Sequence, residues 1–144
     1  MSGDLTRNSA LGQASTDTAG VVVLVVDDEP VIRAFVARAL TLAGFEVAVA
    51  ADGREALRLV AEGRVRPAVV VTDIEMPGMT GVELAARLLA LRPALRIVMM
   101  TGDGARADAA RRHPSIVDEV LLKPMRAEAL VRAVRPASDR TPVG

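Results

Sequence analysis

Five short apolar runs, separated by segments with helical periodicity, constrain the fold of this chain more than any other feature. The runs span residues 21–26, 45–50, 68–71, 97–100 and 120–122. Such alternation is typical of βαβ units arranged around a parallel sheet. The first, third and fourth runs are almost continuously hydrophobic, so we expect helices to cover these strands on both faces. The sequence therefore predicts an α/β fold with a doubly wound, five-stranded parallel sheet in three layers, α/β/α.

The segments between the runs show the apolar spacing of amphipathic helices. The first of them begins near Pro30 and ends before Gly44, residues that favour a helix start and a helix end. The fourth, residues 104–112, has only alanines for an apolar face, and we expect it to pack lightly. We expect the strands to follow the flavodoxin-like order 2-1-3-4-5.

The length of the chain suits one domain. Its 144 residues, 51% of them hydrophobic, can form one sizeable core without disulfides. We expect this domain over residues 21–135. Residues 1–20 and 136–144 are polar and lack a sustained apolar period, so we interpret them as flexible N-terminal and C-terminal tails.

The composition excludes several classes of function. Lysine plus arginine equals aspartate plus glutamate at 18 each, so the chain lacks the basic excess of a protein that binds nucleic acid directly. The absence of cysteine excludes thiolate metal sites and cysteine nucleophiles. Residues 1–20 have no hydrophobic targeting core, and the run at 21–26 is too short to cross a bilayer. We therefore expect a cytoplasmic protein without membrane insertion, and no effector segment after Arg135.

Polar side chains follow four of the five predicted strands at their carboxyl ends. They are Asp27, Asp28 and Glu29 after the first strand, Asp73 after the third, Thr101 after the fourth and Lys123 after the fifth. Ligand sites of open α/β sheets lie beyond these strand ends, so we expect one shared site. A cluster of carboxylates is typical of Mg²⁺ binding, while a lysine and a threonine hydroxyl suit an incoming phosphoryl group. Because the third strand lies between the first and the fourth, we expect Asp73 to be the nucleophile and Asp27 and Asp28 to hold the metal.

These residues resemble the response-regulator receiver domain of two-component signalling. The resemblance covers roughly residues 21–135, and its parts are VVDDEP, the DG of Asp52 and Gly53, VVVTDIEMPGMTG, MMTG and LLKP. It implies a stand-alone, chemotaxis-receiver-like phosphoacceptor rather than an enzyme, with self-catalysed phosphotransfer and autodephosphorylation its only reactions. The implied phosphoryl donor is a sensor histidine kinase or a histidine phosphotransfer protein.

The resemblance also implies a role for each site residue. The implied Mg²⁺ ligands are Asp28, Asp73, the backbone carbonyl of Glu75 and, through water, Asp27. The implied contacts of the phosphoryl group on Asp73 are the side chains of Thr101 and Lys123 and the backbone N–H groups of Ile74 and Gly102. The Lys123–Pro124 peptide bond would be cis, an isomer that proline makes accessible.

Other interpretations stay open at this stage. A small phosphatase of the haloacid-dehalogenase type also forms an aspartyl phosphate, but its nucleophile lies in an Asp-x-Asp arrangement after the first strand, where this chain has Asp27 and Asp28. The only histidine, His113, follows the weak fourth helix, and we interpret it as a surface residue. Three arginines on or beside that helix form either a solvated face or a docking surface: Arg106, Arg111 and Arg112.

Two features bear on lifetime and output. By resemblance, Glu75 and Asp103 flank the path of the hydrolytic water, where they can orient a water or repel the phosphoryl group. Many receivers carry a tyrosine or phenylalanine three residues before the lysine, but Val120 stands there. A valine cannot make the inward swing of such a ring. We therefore expect a modest response confined to residues 101–116, with signalling by binding an unknown downstream protein, by phosphate relay or as a phosphate sink.

Overall fold

The structure is a computed structural model that describes residues 20–135. Within them, five parallel strands form one sheet in the order β2-β1-β3-β4-β5. The strands are β1 (Val22–Val26), β2 (Glu46–Ala50), β3 (Val69–Asp73), β4 (Arg96–Thr101) and β5 (Glu119–Leu122). The helices are α1 (Pro30–Leu42), α2 (Gly53–Ala61), α3 (Gly81–Leu91), α4 (Gly104–Arg111) and α5 (Ala127–Val134). The predicted fold class and strand order are confirmed.

Side chains of the sheet alternate between two apolar layers, one on each face. Leu24 and Val70 point to the layer that contains α2, α3 and α4, whereas Val25 and Val71 point to the layer that contains α1 and α5. Strands buried on both faces are almost continuously apolar, as the first, third and fourth runs are. The three-layer arrangement therefore follows from the sequence of the strands themselves.

Two strands extend further than the apolar runs predict. The predicted runs end at residues 71 and 100, whereas β3 ends at Asp73 and β4 at Thr101. Asp73 still pairs with Met100 in the parallel register. Ladder hydrogen bonds satisfy the backbone whatever the polarity of the side chain, so these polar residues remain in the strands. The candidate nucleophile and the candidate hydroxyl are consequently fixed at one edge of the sheet.

Helix α4 packs as lightly as its alanine-rich sequence predicts. Of its residues, Ala107 and Ala110 are the buried ones. Asp103 caps the helix, since its Oδ1 accepts hydrogen bonds from the N–H groups of Ala105 at 2.8 Å and Arg106 at 3.3 Å. With so little apolar burial, the position of α4 depends strongly on this cap and on polar contacts.

The predicted tails, residues 1–20 and 136–144, lie outside the described residues apart from Gly20. None of the helices in the described range has both the length and the apolar character that a membrane span requires.

Candidate functional site

Three carboxylates meet where β1 and β3 end. Asp27 and Asp28 directly follow β1, and Asp73 is the last residue of β3. One oxygen from each carboxylate lies within 4.8 Å of the other two. Asp27 and Asp73 are buried, whereas Asp28 is exposed. The cluster thus has a buried base and an open side, and its all-oxygen donor set fits Mg²⁺.

Local contacts hold Asp27 in place. Its Oδ1 accepts a hydrogen bond of 2.9 Å from the Glu29 N–H, and its backbone carbonyl accepts one of 2.7 Å from Arg33 Nη1 in α1. This is the local turn that an aspartate favours. The carboxylate is therefore oriented before any ligand binds.

Lys123 supplies a positive charge from the end of β5. Its Nζ lies 3.1 Å from Asp73 Oδ1 and 3.5 Å from both Asp27 Oδ2 and Glu29 Oε1. The Lys123–Pro124 peptide bond is cis, as the resemblance implies. Apart from Lys123, no donor in the described part of the chain reaches Asp73 Oδ1. That buried oxygen therefore has lone-pair capacity left for a cation.

The electrostatics of the site follow from burial and crowding. Burial raises the pKa of Asp73 to about 6; contacts with Lys123 oppose this shift, while Asp27 and Glu75 add to it. Burial also raises the pKa of Asp27, although the hydrogen bond from the Glu29 N–H and the charge of Lys123 act to lower it. For Lys123, burial lowers the pKa, but the contact with Asp73 and the charges of Asp27 and Glu29 outweigh burial and raise the pKa overall. The site therefore carries more negative charge than Lys123 can balance, and a cation would relieve the excess.

Thr101 lies in a small polar network on the α4 side of the site. Its hydroxyl accepts a hydrogen bond of 3.1 Å from the Asp103 N–H and donates one of 3.4 Å to Glu75 Oε2. Glu75 Oε2 also forms an ion pair with Arg106, whose Nε lies 3.5 Å from Asp103 Oδ2. Arg106 is thus solvent-exposed but paired, whereas its role in a docking surface with Arg111 and Arg112 stays a hypothesis. Its single positive charge is shared between Glu75 and Asp103, the two acidic residues that we expect to flank the path of the hydrolytic water.

The two predicted backbone donors differ in their surroundings. The Ile74 N–H donates to the Met100 carbonyl at 2.9 Å, because the ladder between β3 and β4 continues one residue past Asp73. That N–H is therefore engaged by the ladder in this structure, and the implied contact of Ile74 with the phosphoryl group stays a prediction. Gly102 is exposed directly after Thr101, and a Cβ added to it would have no neighbour within 4 Å. Its N–H remains a candidate contact for the phosphoryl group.

Gly81, the last residue of the VVVTDIEMPGMTG segment, supports the site in a way that the sequence pattern does not explain. It begins α3, and its N–H donates to the Ile74 carbonyl at 2.7 Å. A Cβ at this position would overlap the backbone carbonyl oxygen of Asp73. The return of the chain past the candidate nucleophile thus requires glycine, and only the tertiary approach of α3 to β3 shows it.

Comparisons with known proteins agree with this geometry. The family model of the response regulator receiver domain matches residues 23–135, and the chain belongs to that family. Response regulators are signalling proteins rather than classical enzymes, and nothing found favours the phosphatase alternative. Receiver domains of this family bind Mg²⁺ at a cluster of aspartates. In this chain, such a cluster is formed by Asp27, Asp28 and Asp73.

Individual relatives show the extent of the similarity. The chain is 38% identical over 132 residues to the transcriptional regulatory protein TcrA of Mycobacterium tuberculosis, which covers 92% of this chain and 51% of that protein. Among solved structures, chemotaxis protein CheY4 of Vibrio cholerae is 35% identical with a TM-score of 0.68, covering 79% of this chain and 95% of that one. Response regulator TrrA of Thermotoga maritima, in complex with Mg²⁺-BeF, is 31% identical with a TM-score of 0.66. The similarity covers 76% of this chain and 92% of that one. The chain spans about half the length of several curated relatives that it matches.

His113 lies away from this chemistry. It is exposed after the end of α4, as the sequence predicts.

Proposed function

We propose that the chain accepts a phosphoryl group on Asp73 from a sensor histidine kinase or a histidine phosphotransfer protein, in a reaction that requires Mg²⁺. The observation that carries the proposal is the position of Asp73. Its carboxylate is buried between two further carboxylates and Lys123, and among residues 20–135 the donor that contacts its Oδ1 is Lys123. A nucleophilic carboxylate needs a metal on one side and a fixed cation on the other, and this arrangement provides both positions.

The reaction would form one bond and break one. A carboxylate oxygen of Asp73 attacks phosphorus, the P–N bond to the donor imidazole breaks, and the imidazole leaves with the electron pair. Lys123 balances charge on the phosphoryl oxygens, and the Thr101 hydroxyl and Gly102 N–H donate hydrogen bonds to them. Mg²⁺ held by Asp28, Asp73, the Glu75 carbonyl and, through water, Asp27 would neutralise charge on the carboxylates and on the phosphoryl group. The Mg²⁺-BeF complex of the TrrA relative supports this proposal.

An apolar patch beside the site offers a place for the phosphoryl donor to dock. Val31 is 78% exposed and Phe35 43% exposed on the first half of α1. Together with Ile32, Pro124 and Met125 they line a groove that also includes Lys123. A histidine on a protein that covers this groove would approach Asp73 from the side of Lys123. We therefore assign the patch to the histidine-containing donor rather than to a downstream target.

Labelling experiments test the proposal. Wild-type protein with Mg²⁺ and radiolabelled acetyl phosphate should take up label, Asp73→Asn should lose it, and EDTA should prevent it. Asp108→Asn, on the exposed side of α4, is the matched control and should label normally. Label retained by Asp73→Asn would exclude Asp73 as the acceptor.

The docking surface has its own test. Phe35→Asp should slow transfer from a histidine kinase while leaving labelling by acetyl phosphate unchanged, because the small donor does not need the groove. Leu42→Asp is the matched control, since Leu42 is 72% exposed at the other end of the same helix. The assignment would be contradicted if Phe35→Asp slowed labelling by the kinase and by acetyl phosphate equally, or if Leu42→Asp slowed transfer from the kinase as much as Phe35→Asp does. Transfer profiling against the histidine kinases of the host would then identify the donor.

The remaining expectations stay part of this proposal. They are a receiver over residues 21–135 between tails at 1–20 and 136–144, a cytoplasmic location, no direct contact with nucleic acid, and output by protein binding, by phosphate relay or as a phosphate sink. Limited proteolysis tests the boundaries, because cleavage confined to the two ends is expected.

A further inference from the structure

Arg106 joins α4 to the loop that follows the candidate nucleophile. It lies in the first turn of α4 and forms an ion pair with Glu75 Oε2. The same Glu75 oxygen accepts the hydrogen bond from the Thr101 hydroxyl at 3.4 Å. One carboxylate oxygen thus connects Arg106 to the threonine that we expect to contact the phosphoryl group.

The ion pair restricts what Glu75 can do. A free carboxylate two residues after the nucleophile can accept a hydrogen bond from a water and direct that water at phosphorus. In this structure the Oε2 atom is instead occupied by Arg106 and Thr101. Thr101 has a single hydroxyl hydrogen, so turning it toward a phosphoryl oxygen removes it from Glu75. Arg106 is then the contact that still holds the carboxylate on the α4 side.

We propose that Arg106 is a positioning residue that withholds Glu75 from the hydrolytic water and so lengthens the lifetime of the phosphoryl group. The inference rests on the proposed function, since it concerns the decay of an aspartyl phosphate on Asp73. Hydrolysis adds water to phosphorus, breaks the P–O bond to the carboxylate and releases inorganic phosphate. Arg106 takes no part in these bonds and acts only through the position of Glu75.

The experiment measures the decay of label after the donor is removed, in the presence of Mg²⁺. Arg106→Ala should speed decay about fivefold, because Glu75 becomes free to accept a hydrogen bond from water. Glu75→Ala, which keeps the backbone carbonyl, sets the reference rate without the carboxylate, and Glu75→Ala with Arg106→Ala should match that rate, because the effect of Arg106 requires the carboxylate. Arg106→Lys, which keeps the charge, should decay more slowly than Arg106→Ala.

Arg111→Ala is the matched control. Arg111 lies on the same helix and is similarly exposed, but its ion pair is with Asp108 at 3.2 Å, away from the site. It should leave the decay rate unchanged. A rate for Arg106→Ala that is unchanged or lower, or an equal acceleration in the Glu75→Ala background, would overturn the inference while the proposed function stands. A wild-type chain that takes up no Asp73-dependent label would overturn the proposed function and, with it, this inference.

Discussion

Replacing Asp73 with asparagine should stabilise the metal-free protein at neutral pH. The carboxylate is buried, and burial raises its pKa from 3.8 to about 6, although Lys123 opposes the shift. Because the pKa in the folded state lies above that in the unfolded state, the protonated form favours the fold. This stabilising contribution is fully present below about pH 3.8 and is lost as the pH rises through about 6.

The size of the effect follows from the same two pKa values. A shift from 3.8 to about 6 corresponds to about 3 kcal/mol at pH 7, which is an upper limit because the site relaxes when it ionises. Asparagine is neutral and nearly isosteric, so it should recover about 1–3 kcal/mol of this cost. With a urea m-value of about 1–3 kcal/mol/M, the unfolding midpoint of Asp73→Asn should rise by about 1 M.

Urea denaturation in EDTA, between about pH 4 and pH 8, measures this difference. The gain of Asp73→Asn over the wild type should be largest above pH 6 and should vanish toward pH 4. Asp108→Asn, at an exposed ion pair, should change stability by less than about 0.5 kcal/mol. A destabilising Asp73→Asn at pH 7, or a gain independent of pH, would refute the view that burial of this charge dominates the site. Added Mg²⁺ should then stabilise the wild type more than Asp73→Asn.

Three further predictions concern the site and its output. Gly81→Ala should lower stability by about 2–4 kcal/mol in thermal or urea unfolding and reduce labelling, because the added Cβ overlaps the Asp73 carbonyl; a stable, normally labelled variant would show that α3 can shift. Lys123→Ala should retain some labelling but blunt the change in amide hydrogen exchange on adding beryllofluoride, and an undiminished change would exclude Lys123 as a phosphoryl contact. Val120 cannot swing inward as a ring does. In the wild type, the changes in amide hydrogen exchange on adding beryllofluoride should therefore be confined to residues 101–116, and the protein should remain monomeric in analytical ultracentrifugation. A clear dimer, or large exchange changes in α5, would contradict this prediction.

Most of the fold and much of the geometry of the site are accessible from local patterns. The apolar runs identify the strands because a sheet covered on both faces needs continuous hydrophobic segments. Asp27, Asp73, Thr101 and Lys123 could be grouped without coordinates, since the carboxyl ends of parallel strands share one edge. The structure brings these side chains together at that edge, and their roles in phosphotransfer are the proposals that labelling tests.

Contacts between distant segments could not be predicted in this way. The pairing of Arg106 with Glu75 depends on where α4 lies relative to the loop after β3, and no spacing in the sequence encodes that placement. The Ile74 N–H donates to the Met100 carbonyl because the ladder between β3 and β4 runs one residue past Asp73, beyond the apolar run that ends at residue 71. The requirement for glycine at position 81 likewise arises from the approach of one helix to one carbonyl.

The polar network around Thr101 also suggests how a signal leaves the site. Val120 is buried and aliphatic, so it offers no ring to carry a change away from Thr101. The connection present in the structure is polar, and it runs from the Thr101 hydroxyl through Glu75 to Arg106 on α4. An exposed ion pair is worth less than about 1 kcal/mol, which would hardly move a well-packed helix. Helix α4 buries only two alanines, so a change of that size is comparable with what holds it in place. The light packing of α4 is therefore what would let the loss of the Thr101–Glu75 hydrogen bond, passed on through the Glu75–Arg106 pair, shift this helix.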